Sequence, residues 1–342
     1  MTRSITTRRL DPPWPAPPTA EQSQGDRLLW YPSIARLAPS KHNTQPWRIV
    51  VRDGVLEVWT DPRRALLHTD PHLRELVISC GAALHHLEVA ARALGRRLAV
   101  DLLPEGGSSL LARAVEIGEH RTTPHDLAML AAVADRRTDR GPLDASVLAP
   151  DLPFRLQSAA TCVGAALRLV TSVGDRATLV SLVERADRIL VRDGRTDLEL
   201  SHWLRGLDDR RTDGVPVDRT RGAAASYRAE FVQRDFSGGV GSAAHDRTGV
   251  DRPLVGVLCT PGDRAVDWLC AGRALSGVLL ETAAAGGNAS YLNQPVEVPA
   301  LRTELQSALQ LPCQPQLVLR VGAGGPVAST PRRAVDEIRF VT

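Results

Sequence analysis

The chain has 342 residues, 43% of them hydrophobic and 24% charged. That suffices for roughly two core-bearing units of about 150 residues each and does not fit wholesale disorder. A net charge of +3 with scattered basic residues leaves no basic patch or tail of the kind a nucleic-acid or membrane-surface binder carries. No apolar run reaches the roughly eighteen residues of a membrane span. The N-terminus has basic residues but no apolar stretch of a secretory signal, so a cytoplasmic location is expected.

Residues 1–25 are Pro-rich and polar and read as an arm, either mobile or draped on the surface. A short helical pattern runs from Asp26 to Ala38. After a Pro-Ser loop, Arg48–Arg52 reads as a strand, Asp53-Gly54 as a hairpin turn and Val55–Trp59 as the return strand. From Arg74 to Leu94 apolar residues recur at three and four, and Gly95 closes the helix. Leu110–Ile117 is a further strand. Leu167–Thr171, the small-residue helix Asp267–Ala285 with Gly286-Gly287 after it, and the strand Gln316–Val321 repeat these themes.

A shift of 191 pairs Gly81 with Gly272, Ala83 with Ala274, Leu84 with Leu275, Leu87 with Val278 and Gly95 with Gly286. Two readings are open: chance likeness between two helices rich in Ala and Leu, or an internal duplication giving a dimer within one chain. Residues 184–250 are polar, Arg/Gly-rich and weakly periodic apart from stretches near 184–191 and 223–233. So long an insertion reads as a lid or as disorder; Trp203, Leu204, Val215, Pro216 and Phe231 supply apolar anchors for a lid.

The five cysteines are widely spaced with no CxxC, neither a disulfide framework nor a zinc site. Only Lys41 is lysine; the other 41 basic residues are arginine, an excess that fits codon bias better than phosphate affinity. His68-Thr69-Asp70-Pro71-His72 has a metal-like spacing without a further ligand. It reads as a loop with Asp70 capping the helix that follows. No GxSxG, P-loop or Rossmann glycine string occurs, which disfavours hydrolase, NTPase and classical NAD-domain readings.

The densest motif is Pro39-Ser40-Lys41-His42-Asn43-Thr44-Gln45-Pro46-Trp47-Arg48, just before a strand. Its Ser, Asn and Gln side chains can read a planar hydrogen-bonding heterocycle, and its prolines restrict the backbone. Arg136-Arg137-Thr138-Asp139-Arg140 is a charge run whose guanidinium forks suit phosphate; a solvated helix end is the plain alternative. Thr330-Pro331-Arg332-Arg333 offers two more arginines, and the two glycines that open Gly286-Gly287-Asn288-Ala289-Ser290-Tyr291-Leu292-Asn293-Gln294-Pro295 allow close backbone approach after the helix.

Ala38-Pro39-Ser40-x-His42-Asn43-x-Gln45-Pro46-Trp47-Arg48 resembles the FMN-binding signature of the nitroreductase-like flavoprotein superfamily. The pattern over residues 26–342 is most similar to the dormancy-associated Acg branch of fused, two-copy members; Ser79–Leu84, Asp213–Pro216 and Thr330–Arg333 carry that likeness. The resemblance implies an α+β fold of two nitroreductase-like halves, each a mixed sheet flanked by helices, joined as an intrachain pseudo-dimer with no higher oligomer predicted. The halves would span residues 26–130 and 131–342, with 184–250 as a lid insertion.

The resemblance also implies one FMN as cofactor. Pro39, Ser40, Lys41, Asn43 and Gln45 would contact the flavin from across the interface. Arg136, Arg137, Thr138, Arg140 and Arg332 would hold its phosphate side, and Gly286, Gly287 and Asn288 would run beside the ring. Each half keeps only one part of a site, and the parts are complementary, so one intact site per chain is expected. The implied activity is ping-pong hydride transfer from NADPH or NADH through FMN to a nitroaromatic, a quinone or a pathway-specific acceptor, with no side chain as nucleophile and no metal. The alternative is a non-enzymatic flavin-storage protein with its lid closed over one FMN.

Overall fold

In the computed structural model, residues 13–19, 22–106, 109–206, 208–217, 230–232 and 251–341 are described. The chain begins with Pro13–Pro15 laid on helix α1 (Gln24–Ala35), where Pro15 O accepts a bond from Trp30 Nε1 at 2.9 Å. Helix α1 starts before Asp26 because Ser23 and Asp26 form a capping box. It ends before Ala38 because Pro39 drives the residue ahead of it out of helical geometry.

Strands β1 (Trp47–Arg52) and β2 (Val55–Thr60) form the expected hairpin, with Asp53 at φ 47° and Gly54 at φ 80° in its turn. Helix α2 (Arg74–Ala93) follows, then β3 (Arg96–Leu102) and β4 (Leu110–Glu119). Helix α3 (Pro124–Asp135) comes next, so the expected boundary at 130/131 falls inside a helix. It is followed by α4 (Leu152–Thr161), β5 (Ala166–Leu169), α5 (Val173–Val191) and α6 (Gly194–Trp203). Two short parallel strands, β6 (Leu204–Arg205) and β7 (Val215–Pro216), come after α6. The remaining elements are β8 (Leu254–Thr260), α7 (Ala265–Ala284), β9 (Asn288–Tyr291), α8 (Gln294–Glu297), α9 (Pro299–Ala308), β10 (Gln314–Gly322) and β11 (Arg339–Val341).

Two sheets result. The first has the order β11-β1-β2-β4-β3 and the second β5-β8-β10-β9. Without β11, both run first, second, fourth, third in chain order, all antiparallel, with the long helix between the second and third strands. The two long helices, α2 and α7, begin and end 191 residues apart and pack on each other at the centre. β11 departs from this plan: it joins the first sheet beside β1, in parallel. The C-terminal segment assigned by sequence to the second half therefore completes the sheet of the first.

The sheets differ in cover. β8 and β10 are buried almost throughout, with helices α4 and α7 on one face and α5, α8 and α9 on the other. Their near-continuous apolar runs are what two-sided burial requires. β3 alternates half-buried and exposed residues, the mark of a sheet with one wet face. The expected insertion from 184 begins inside α5, and its described residues include helix α6, which packs toward the loop before α2 through His68 Nε2 to Asp193 (2.7 Å) and the Thr69 hydroxyl to Glu199 (2.6 Å). The stretch near 223–233 lies outside the described residues except for 230–232. Among the described residues no helix is long and apolar enough to cross a membrane.

Candidate functional site

A cavity of about 200 Å³ opens where α2, α7, β9 and β10 meet the loop before β1 and the C-terminal tail. From the first motif it is lined by Pro39, Ser40, Lys41, His42 and Asn43; from the second by Arg136, Arg137, Thr138 and Arg140; and from the tail by Thr330 and Arg332. The sequence places these strings about 95 and 190 residues apart. The fold brings them onto one wall.

Local geometry explains each presentation. The first motif is a tight loop with Lys41–Asn43 as a single helical turn, closed by Gln45 N donating to Ser40 Oγ at 2.9 Å. His42, Asn43 and Gln45 hold φ of 48°, 54° and 50°, left-handed conformations that cost about 1 kcal/mol or more outside glycine. Strain of that kind collects at functional loops. The second motif leaves α3 at Arg136 and runs beside β9, where Thr138 bridges Ala289 in parallel and Asp139 N donates to Ala289 O at 2.9 Å. Asp139 is turned away and accepts from Gly141 N.

The arginines set the electrostatics. Arg136 is buried, and its Nε has no hydrogen-bond partner among the described residues. Arg137 spends Nη1 on the carbonyls of Ala134 and Arg136, capping α3. Burial pushes Arg140 down to about 10. Burial, then the charges of Arg136, Arg137 and Arg36, push Arg332 down to about 9. At Arg332 the neighbouring guanidinium groups add to the cost of burial; at Arg140 burial does it against the opposing charge of Asp139. Among the described residues no carboxylate lies within ion-pair distance of Arg136, Arg137 or Arg332.

Elsewhere on the wall charge is balanced. Lys41 Nζ bonds Glu75 and lies 3.3 Å from Glu297 Oε1. Burial lowers the Lys41 pKa, but Glu297 and Glu75 outweigh it and hold it above the ordinary value. Behind them Asp70 Oδ2 accepts from Leu76 N at 2.9 Å, the expected helix cap, and burial followed by the Glu75 charge pushes its pKa up to about 6. His68 of the same loop pairs with Asp193, and among the described residues no three His, Cys, Asp or Glu side chains converge as a metal site would.

Four expected residues lie off the wall: Gln45, Gly286, Gly287 and Asn288. Gln45 is fully buried behind the loop, where its amide bonds Thr212 O, Asn43 O and Arg333 N. Gly286, at φ 76°, terminates α7, and Gly287 packs on Leu148 and Thr282. Asn288 Nδ2 turns to Gly325 O at 3.2 Å. The wall next to this corner is instead Ser290 and Tyr291, the last two residues of β9.

Arg332 is on the wall and Arg333 is not: Arg333 faces Gln45 O and Glu337 O. Sequence reading missed Glu75, Ile78, Ser79, Leu275, Glu297 and Leu317, which also line the cavity. Glu75, Ile78 and Ser79 share one face of α2 at spacings of three and four, a signal that any amphipathic helix would give. From the insertion, Gly214, Val215 and Pro216 complete the wall. Gly214, at φ 73°, is required there, since a Cβ would sit 2.4 Å from Trp203 O.

A fold of paired antiparallel sheets about two crossed helices, with an arginine-rich cavity between them, defines a class that comparison identifies. No family model matches the chain. It is 30% identical over 316 residues to "Putative NAD(P)H nitroreductase acg" of Mycobacterium tuberculosis, covering 90% of this chain and 93% of that one. It is also 30% identical over 312 residues to "Putative NAD(P)H nitroreductase Rv3131" of the same organism, covering 90% and 89%. The chain belongs to the nitroreductase-like family, and its relatives there are Acg-like proteins.

Proposed function

We propose that the chain is an FMN-dependent NAD(P)H oxidoreductase built from two fused nitroreductase-like halves, with one flavin per chain. The observation that carries this is the set of four guanidinium groups around one cavity, with the buried Arg136 Nε left without a partner among the described residues. A phosphate fits that vacancy in hydrogen bonding and in charge. The fused-halves reading rests on the shared strand order and on the 191-residue offset of α2 and α7.

In this reading Arg136, Arg140 and Arg332 hold the phosphate, with Arg137 and Thr138 beside them. Ser40 and Lys41 bear on the polar edge of the ring. Glu75 and Glu297 keep Lys41 charged and fixed in place. Ile78, Leu275, Leu317 and Val327 make the apolar part of the wall that keeps water from the reacting face. A flavin held there would supply hydride-transfer chemistry between reduced nicotinamide and an acceptor such as a quinone or nitroaromatic.

A second reading, flavin storage, is favoured by one feature: the insertion contributes Gly214–Pro216 to the cavity wall. Anaerobic mixing of the flavin-loaded protein with NADPH and with NADH separates the two. Bleaching by either donor, and recolouring by a quinone, supports the oxidoreductase. Bleaching by dithionite alone supports storage, and a protein that stays colourless with added FMN removes both.

A further inference from the structure

The first motif carries two side-chain amides, on Asn43 and Gln45, and their hydrogen bonds can be counted in full. A primary amide has two N–H donors and one carbonyl acceptor. Asn43 Nδ2 donates to Gly214 O at 3.0 Å and to Pro331 O at 3.0 Å, while Oδ1 accepts from Arg332 Nη1. Gln45 Nε2 donates to Thr212 O at 2.9 Å and to Asn43 O at 3.3 Å, while Oε1 accepts from Arg333 N at 2.9 Å. The backbone adds one more tie, Gly214 N to Asn43 O at 3.2 Å. Each amide thus binds the same two remote segments, one from the insertion and one from the tail. Both segments supply cavity wall, through Gly214–Pro216 and through Thr330 and Arg332. Neither amide has a donor left for a ligand.

We propose that Asn43 and Gln45 are positioning residues, an amide clasp that fastens the 212–216 segment and the 330–333 tail onto the cavity, and that Asn43 acts on the ligand by aiming Arg332. The left-handed backbone at both residues turns the two amides toward these segments. The clasp sets how long a ligand stays. It rests on the functional reading above only for the identity of that ligand, since the bonds belong to the protein alone.

Hydrogen exchange on the ligand-free protein tests the clasp first. Gln45→Glu keeps the acceptor for Arg333 N and loses the donor to Thr212 O. Its 208–217 amides exchange about fivefold faster, the effect of one lost net bond, while those of 330–334 keep their rate. Asn43→Ala loosens both segments; Asn43→Asp, nearly the same shape without the two donors, replaces it if the alanine variant does not fold. Flavin then leaves both Asn43 variants faster by a similar factor, with the visible spectrum of the bound flavin unmoved. Unchanged exchange in both segments of folded variants overturns the proposal. So does a shifted flavin spectrum with unchanged exchange, which would make the amides readers of the ring. If FMN does not bind the parent protein, the cofactor assignment fails while the exchange result still decides the clasp.

Discussion

Gly81 and Gly272 lie against each other where α2 crosses α7. A Cβ on Gly81 would sit 2.4 Å from Leu269 O, and one on Gly272 would sit 2.0 Å from Ile78 O. Leu269 and Ile78 are themselves 191 residues apart, so each helix meets the same point of the other. This reciprocity is the mark of a two-fold contact, here formed inside one chain. His85 Nδ1 and Ser276 Oγ, also 191 apart, meet at 2.8 Å.

The crossing predicts its own sensitivity. The obstructing atoms are backbone, which cannot swing aside, so Gly81→Ala and Gly272→Ala should each cost about 3 kcal/mol, the upper range for overpacking. Urea denaturation midpoints measure it; a loss below about 0.5 kcal/mol would mean the helices slide apart easily.

Removing two guanidinium groups should release the cofactor. Charge-assisted bonds are worth about 1.5–3 kcal/mol each, so Arg136→Ala with Arg140→Ala should weaken FMN binding by about 100-fold or more. Fluorescence titration of the apo double variant reads this directly, and unchanged affinity rejects the phosphate assignment.

One flavin per chain is expected. The cavity draws its wall from both motifs at once, so the two strings together make a single site. Absorbance of the purified protein should give an FMN-to-chain ratio near one; a ratio near two contradicts the complementary arrangement.

Asp70 should make stability fall with rising pH. Its folded pKa is raised to about 6 from 3.8, so between those values the folded state binds more protons than the unfolded one. The protonated form is therefore favoured in the fold, and stability drops as pH climbs from about 4 through 6. The drop is of the order of 2 kcal/mol. Asp70→Asn, which keeps an acceptor for Leu76 N, should lose this part of the slope in denaturation curves taken across that range.

Some of this was legible from the chain alone. The hairpin at Asp53-Gly54, helix Arg74–Ala93 and the two contiguous strings at 39–48 and 136–140 announce themselves because their signals are local: turn chemistry, period and side-chain type. Gln45 belongs to the first string yet points elsewhere, because the face its side chain takes depends on the left-handed φ of its loop. Glu75 and Leu275 reach the cavity from helices that read as ordinary core. β11 is three residues long and pairs with β1 across some 290 residues of chain, so nothing nearby betrays its partner.

The sequence by itself determined the first hairpin, the two long helices, the glycines that let α2 and α7 touch, and the two strings of polar and basic residues. Those follow from backbone preferences and side-chain spacing, which act over a few residues. Only the tertiary structure decided that Asn43 would meet Arg332, that the tail would join the first sheet, and that four arginines would line one cavity. Such contacts join residues hundreds of positions apart, and their energy exists only once the whole core has closed.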